Sequence, residues 1–167
     1  MAATQPPSID PIRSTDDAAR ELARGLLREA RFGSLGTIDP ETGHPQVTRV
    51  ALGIGPDGGL YTLVSGLSAH SRALRADPRA GLLIGEPDAK GDPLTHPRLS
   101  LSARARTIAP NHPEDAALRQ RWLADHPKAK FYIDLPDFFF VEFVPLGALL
   151  NGGFARAFRL TPDDLRL

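Results

Sequence analysis

The clearest period-two pattern in the chain runs from Arg98 to Arg106, where Leu99, Leu101, Ala103 and Ala105 alternate with Arg98, Ser100, Ser102, Arg104 and Arg106. Such alternation predicts a strand with one apolar and one cationic face. A different period governs the start of the chain: Leu22, Leu26, Leu27 and Ala30 recur at helical spacing, with Arg20, Glu21, Arg24, Arg28 and Glu29 on the other sides. This predicts an amphipathic helix, capped by Ser14 or Thr15, with Asp16 and Asp17 near the positive end of its dipole.

Between these segments, Phe32 to Ile38 and Gln46 to Ile54 flank Asp39-Pro-Glu-Thr-Gly43, whose proline and glycine suit a hairpin. A second hairpin follows through Gly55-Pro-Asp-Gly-Gly59 into Leu60 to Val64. Ala69 to Ala76 reads as a short helix stopped by Asp77-Pro78, because the residue before a proline is pushed out of the helical region. Ala80 to Gly85 is wholly apolar and is expected to be a strand buried on both faces, and the proline-rich segment Glu86 to Pro97 a surface loop.

His112-Pro-Glu-Asp115 starts another amphipathic helix through Leu118, Trp122 and Leu123, closed by His126-Pro127. Phe131 to Ile133, Phe138 to Val144 and Ala148 to Leu160 read as strands. The last is interrupted by Gly152-Gly153, a pair that suggests a bulge or a close approach of backbone to a ligand or partner. Six to seven short strands in successive hairpins with about three helices predict a mainly β (α+β) fold, an antiparallel barrel, closed or split, in preference to a parallel α/β sheet.

Twenty basic residues balance twenty acidic ones, so there is no electrostatic case for wrapping a nucleic-acid backbone, and any anion site must be local. With no cysteine, disulfides, thiol nucleophiles, zinc–thiolate sites and iron–sulfur clusters are excluded, which favours a cytoplasmic home. Residues 1–15, MAATQPPSIDPIRST, hold three prolines and no apolar run. They read as a flexible N-terminal arm, neither signal peptide nor anchor, ahead of one domain over 16–167. No run of about 18 apolar residues suggests a membrane span.

Candidate chemistry concentrates between Arg49 and Arg79. A strand supplies Arg49, and the loop opening the short helix supplies Ser65, Ser68, His70, Ser71 and Arg72. Hydroxyl and cationic donors beside a helix N-terminus make a phosphate socket, since a dianion there gains several charge-assisted hydrogen bonds at once. Hydrolytic chemistry is poorly served: Gly66-Leu-Ser-Ala-His70 lacks the second glycine of a nucleophile elbow, the five histidines have no metal spacing, and no GxxxxGK[ST] occurs. The Arg98, Arg104, Arg106 face reads as a solvated or salt-bridged strand face, Leu118 and Trp122 as core, and Phe138-Phe139-Phe140 as core or dimer interface.

The order of helix, hairpin, TRVALGIGPDGGLYTLVSGLSAHSRALRADPRAGLLI, a further strand and HPKAKFYIDLPDFFFVEFVPLGALLNGGFARAF resembles the FMN-binding split barrels of the pyridoxamine 5′-phosphate oxidase-like superfamily. Its nearest likeness is to the HugZ-type and CREG-like branch, and it covers residues 16 to 160. The resemblance implies a split barrel and a homodimer with FMN at its interface. It places the FMN phosphate on Arg49, Ser68 and His70, with His70 where a lysine is common. Backbone of Val50, Ala51 and Leu52 would lie along the flavin ring edge, Tyr61 to Ser65 would complete the pocket, and Ser65, Ser71 and Arg72 would add contacts of second rank.

Two family features are missing. The haem-ligating C-terminal histidine of HugZ-type haem oxygenases has no counterpart, because no histidine follows His126. The Arg-x-His pattern of true pyridoxamine phosphate oxidases is absent as well, Arg156-Ala-Phe-Arg159 offering no histidine. The resemblance therefore implies a small FMN-dependent oxidoreductase with an unnamed small-molecule substrate or electron donor. The alternative it implies is a non-catalytic flavin- or haem-binding, stress-associated barrel, with His96 and His126 the first histidines to test for haem.

Overall fold

The computed structural model describes residues 12–153 and 156–167. In chain order the elements are β1 (Ile12–Arg13), α1 (Asp17–Glu29), β2 (Phe32–Ile38), β3 (Pro45–Ala51), β4 (Gly53–Ile54), β5 (Leu60–Ser65), α2 (Ala69–Ala76), β6 (Arg79–Ile84), β7 (Arg98–Ile108), α3 (Asp115–Asp125), β8 (Phe138–Asn151) and β9 (Ala157–Leu160). The ladder runs β1-β9-β8-β7-β6-β2-β3, and β5 pairs with β8 and with β4. All pairings are antiparallel except β1 with β9. Strands β3 and β5 meet without a hydrogen-bonded ladder among the described residues, so the barrel is split along that line. Of the arm expected over 1–15, residues 1–11 lie outside the described residues, and Ile12–Arg13 runs alongside Ala157–Phe158.

Helix α1 is capped by Asp16, whose carboxylate accepts from Ala19 N–H at 2.7 Å, rather than by Ser14 or Thr15. Its buried stripe is Ala19, Ala23 and Leu27, and small residues there let the helix lie close against the barrel. The barrel interior is filled by Leu35, Val50, Leu52, Leu82, Ile84, Leu99, Leu101, Phe143 and Leu150, among others. A second core of Tyr61, Leu63, Ile108, Leu118, Trp122, Ala129, Ile133 and Phe140 lies beneath α3.

These two cores correct the reading of which strand is doubly buried. Leu60 and Val64 of β5 face the barrel while Tyr61 and Leu63 face the α3 layer, so β5 is covered on both sides. Strand β6 alternates instead, and Leu83 is 44% exposed, because no described element covers its outer face. The strand expected over Phe131 to Ile133 is also absent. Pro127–Phe131 forms a 3₁₀ turn whose local bonds, Ile133 N–H to Ala129 O at 2.8 Å among them, replace sheet pairing.

Strand β8 runs unbroken from Phe138 to Asn151, uniting two expected strands, and the chain leaves the sheet at Gly152-Gly153 before β9. Opposite Ser102 and Ala103 of β7, Leu146 is an extra residue, a bulge that pairs Ser102 with Gly147 and Ala103 with Pro145. The outer sheet face carries Val47, Leu146 and Leu149, exposed by 71, 62 and 50%. Small residues Ser34, Gly36, Gly81, Ser100 and Ser102 floor the groove between them, a cavity of about 910 Å³. No helix among the described residues is long and apolar enough to cross a membrane.

Candidate functional site

The loop from β5 into α2 is built by its own hydroxyls. Ser68 is the N-cap of α2: its Oγ accepts from Ser71 N–H at 3.3 Å and lies 2.8 Å from both Ser65 O and Ser71 Oγ. Ser71 is fully buried and its hydroxyl donates to Ser65 O at 2.7 Å. Ser65 Oγ donates to the Asp137 carboxylate and accepts from Leu67 N–H at 3.2 Å, while Gly66 N–H donates to Asp137 O at 2.7 Å. The three serines thus pin the loop to itself and to the start of β8. That leaves the first-turn N–H groups of Ala69 and His70, which have no intrahelical acceptor in an α-helix, at the helix end.

His70 is half-buried, with Nδ1 3.2 Å from Thr48 Oγ1 of β3. Burial lowers its pKa from the ordinary histidine value, so the ring is held towards its neutral form. Nε2 has no partner among the described residues. Thr48 pairs across the ladder with buried Leu35, whereas Arg49 pairs with Ser34 of the outer groove, so His70 and Arg49 approach β3 from opposite faces. Arg49 is exposed and its guanidinium lies 5.3 Å from the Phe32 ring centroid. Arg72 is exposed and forms no ion pair with a carboxylate among the described residues, although its charge helps lower the Asp39 pKa, an effect led by hydrogen bonds from Thr42. Arg75 is directed elsewhere, 4.8 Å over the Phe139 ring.

Of the three residues expected along the flavin ring edge, Val50 is buried in the barrel and Ala51 is half-buried at the end of β3. Leu52 is buried and both its backbone groups are engaged: N–H donates to Arg31 O, and O lies 2.9 Å from His126 Nε2, both at 2.9 Å. His126 also stacks on Trp122 at 4.3 Å, so α3 fixes the corner between β3 and β4. Tyr61 to Val64 are buried, and Tyr61 O–H donates to Asp57 at 2.9 Å, burial pushing the phenol pKa well up. His96 is held inside its own loop, Nε2 3.0 Å from Lys90 O and Nδ1 accepting from Asp88 N–H at 3.4 Å.

The structure therefore brings the serines together, joins His70 to Thr48, and leaves Arg49 on the far face of the open edge strand. Sequence reasoning missed Thr48, Asp137 and the tie from His126. Thr48 was visible as the neighbour of Arg49 in a period-two segment, but Asp137 and His126 come from distant chain and carried no local signal. Chemically the site can hold an anion. No cluster of three or more His, Cys, Asp or Glu side chains suited to a metal occurs among the described residues.

An antiparallel split barrel with a serine-pinned, cation-flanked helix start beside its open seam defines the protein as a split-barrel protein with a candidate anion site. The chain belongs to the pyridoxamine 5′-phosphate oxidase family, whose sequence pattern matches residues 19–150. It is 31% identical over 139 residues to a chloroplastic non-canonical heme oxygenase of Arabidopsis thaliana, an alignment spanning 83% of this chain but 41% of that protein. A structure of a heme binding protein from Mycobacterium smegmatis superposes with a TM-score of 0.79 at 32% identity, covering 90% of this chain and 61% of the other. A protein of unknown function from Agrobacterium tumefaciens superposes with a TM-score of 0.79 at 35% identity, covering 95% and 66%. The chain thus spans less than two thirds of the length of each of these relatives.

Proposed function

We propose that the protein binds FMN and acts as a small, dimeric, cytoplasmic oxidoreductase on a small-molecule substrate or electron donor. The observation that carries the reading is the division of labour in the α2 loop. The serines satisfy the loop's own backbone, and His70 Nε2 and the side chains of Arg49 and Arg72 remain without carboxylate partners among the described residues. That donor set suits a phosphate dianion. In this reading Arg49 reaches round the open edge of β3, His70 and Arg72 approach from α2, and Ser65, Ser68 and Ser71 hold the helix start in place. Ala51, half-buried at the seam, is the ring-edge residue with most room, beside Val50 and Leu52.

Bound there, the flavin supplies the electron chemistry, and the protein supplies binding, orientation and exclusion of water. The homodimer would form through the apolar outer face of Val47, Leu83, Leu146 and Leu149. Calorimetric titration with FMN tests the reading: saturable binding supports it, and a protein that takes up no FMN contradicts it.

A second reading, a non-catalytic haem-binding barrel, is favoured by the two relatives with haem in their names. Against it in this chain, His96 and His126 already have ring partners, leaving His70 as the histidine with an open Nε2 near the seam. A Soret band on adding hemin, lost in His70→Ala, would establish it.

A further inference from the structure

We propose that His70 is the specificity-determining residue of the phosphate site, selecting a dianionic phosphate monoester by taking up a proton as it binds. The inference rests on the FMN reading above. Its geometric basis is the Thr48 hydroxyl, 3.2 Å from Nδ1. A hydroxyl both donates and accepts. Thr48 therefore donates to Nδ1 of the neutral ring and, by rotating, accepts from Nδ1–H of the charged ring, so the imidazole keeps its anchor in both states. Nε2–H faces the phosphate throughout, and the proton added on binding goes to Nδ1. A lysine in this position would be charged before any ligand arrived, whereas His70 acquires its charge with the ligand.

The surroundings do not supply that charge in advance. Packed against α2, β2 has no titratable side chain, and the sole one of β3 is Arg49, on the opposite face from Thr48. On α2 itself the charged groups are Arg72 and Arg75, the latter turned to Phe139. The turn between β2 and β3 contributes Asp39, which accepts from Thr42 and Gln46, together with exposed Glu41 and His44. None of these is a cause of the lowered His70 pKa, which is due to burial alone. A bound dianion reverses that effect by favouring the imidazolium.

The sign follows. Below the free-state pKa the ring is charged with or without ligand, and affinity is at its highest on this account. Between the free and the bound pKa each binding event takes up a proton, and Kd rises with pH by up to about tenfold per unit. Above the bound pKa the ring is neutral in both states and affinity is flat again.

The test is the Kd of FMN, by flavin fluorescence titration across about pH 5.5 to 8.5, for the wild type and for His70→Lys. Ionisation of the phosphate itself, with a second pKa near about 6, acts on both proteins and cancels in the ratio. The wild-type Kd relative to that of His70→Lys is expected to rise at least about fivefold over this range, with riboflavin giving a flat ratio. His70→Gln, which keeps a hydrogen-bonding group without a titration, should bind more weakly, with a Kd that stays in constant ratio to that of His70→Lys at every pH. NMR titration of the His70 ring should give a higher pKa with FMN than without. A pH-independent FMN ratio, or an equal slope with riboflavin, overturns this inference alone. Wild-type protein that binds FMN at no pH overturns it together with the reading it rests on.

Discussion

Ser65, Ser68 and Ser71 stand beside His70 and Arg72 in the sequence as if all five were equivalent donors. In the fold the serine hydroxyls close on one another and on Asp137, while His70 turns its Nδ1 to Thr48 and Arg72 stays exposed. A capping hydroxyl cannot be told from a ligand hydroxyl by residue type, because both need the same serine at a helix start. Ser68→Ala should accordingly lower stability by about 1 kcal/mol, read as a fall in melting temperature, through loss of the cap. Arg49→Ala should leave melting unchanged within error and weaken FMN binding by about ten- to a hundredfold, the range for a charge-assisted hydrogen bond, measured by calorimetry.

Acid sensitivity belongs at the same scale. Asp164, hydrogen-bonded first by Arg20 and then by Thr161, has its pKa lowered to about 2. A depressed carboxylate stabilises the fold above its unfolded pKa, and that contribution is lost as pH falls towards about 2. The clamp between α1 and the 3₁₀ turn Asp163–Leu165 should therefore loosen in acid. In Asp164→Asn, the fall in melting temperature between about pH 4 and pH 2 should be shallower than in the wild type.

Among the elements, those with local signals were legible: the period-two pattern of β7, the stripe of α1, the hairpins, and α2 stopped by Asp77-Pro78. The strands whose burial depends on a distant cover were not. Strand β5 is buried twice because α3, more than fifty residues later, lies over Tyr61 and Leu63, and no pattern within Leu60–Ser65 encodes that. Phe131 to Ile133 is β-prone in type, yet Pro127 and the Arg119 guanidinium, donating to Ile133 O at 3.0 Å, hold it as a turn against α3.

Two substitutions probe these long-range supports. Gly85 has φ +103°, and a Cβ there would lie 2.6 Å from Pro97 O, a backbone atom with little freedom to move. Gly85→Ala should cost at least about 1–3 kcal/mol in chemical denaturation. Trp122 is the sole tryptophan and stacks on His126, so His126→Ala should shift its fluorescence while releasing the Leu52 carbonyl. An unchanged emission spectrum would contradict the stack.

For the whole molecule, the split between β3 and β5 and the apolar outer face lie on either side of the same edge strand, whose Val47 and Arg49 share one face. A second copy seated on that face would cover Val47 and enclose Arg49, linking assembly to cofactor binding. Val47→Asp combined with Leu146→Asp should convert a dimer to a monomer in light scattering and weaken FMN retention together. The most direct test of the central claim is the visible spectrum of the wild-type protein as purified and after adding FMN, followed by desalting. The account predicts retained absorbance near 450 nm, about that of oxidised flavin, at close to one FMN per chain. A colourless protein after desalting that also gives no heat with FMN in calorimetry would contradict it.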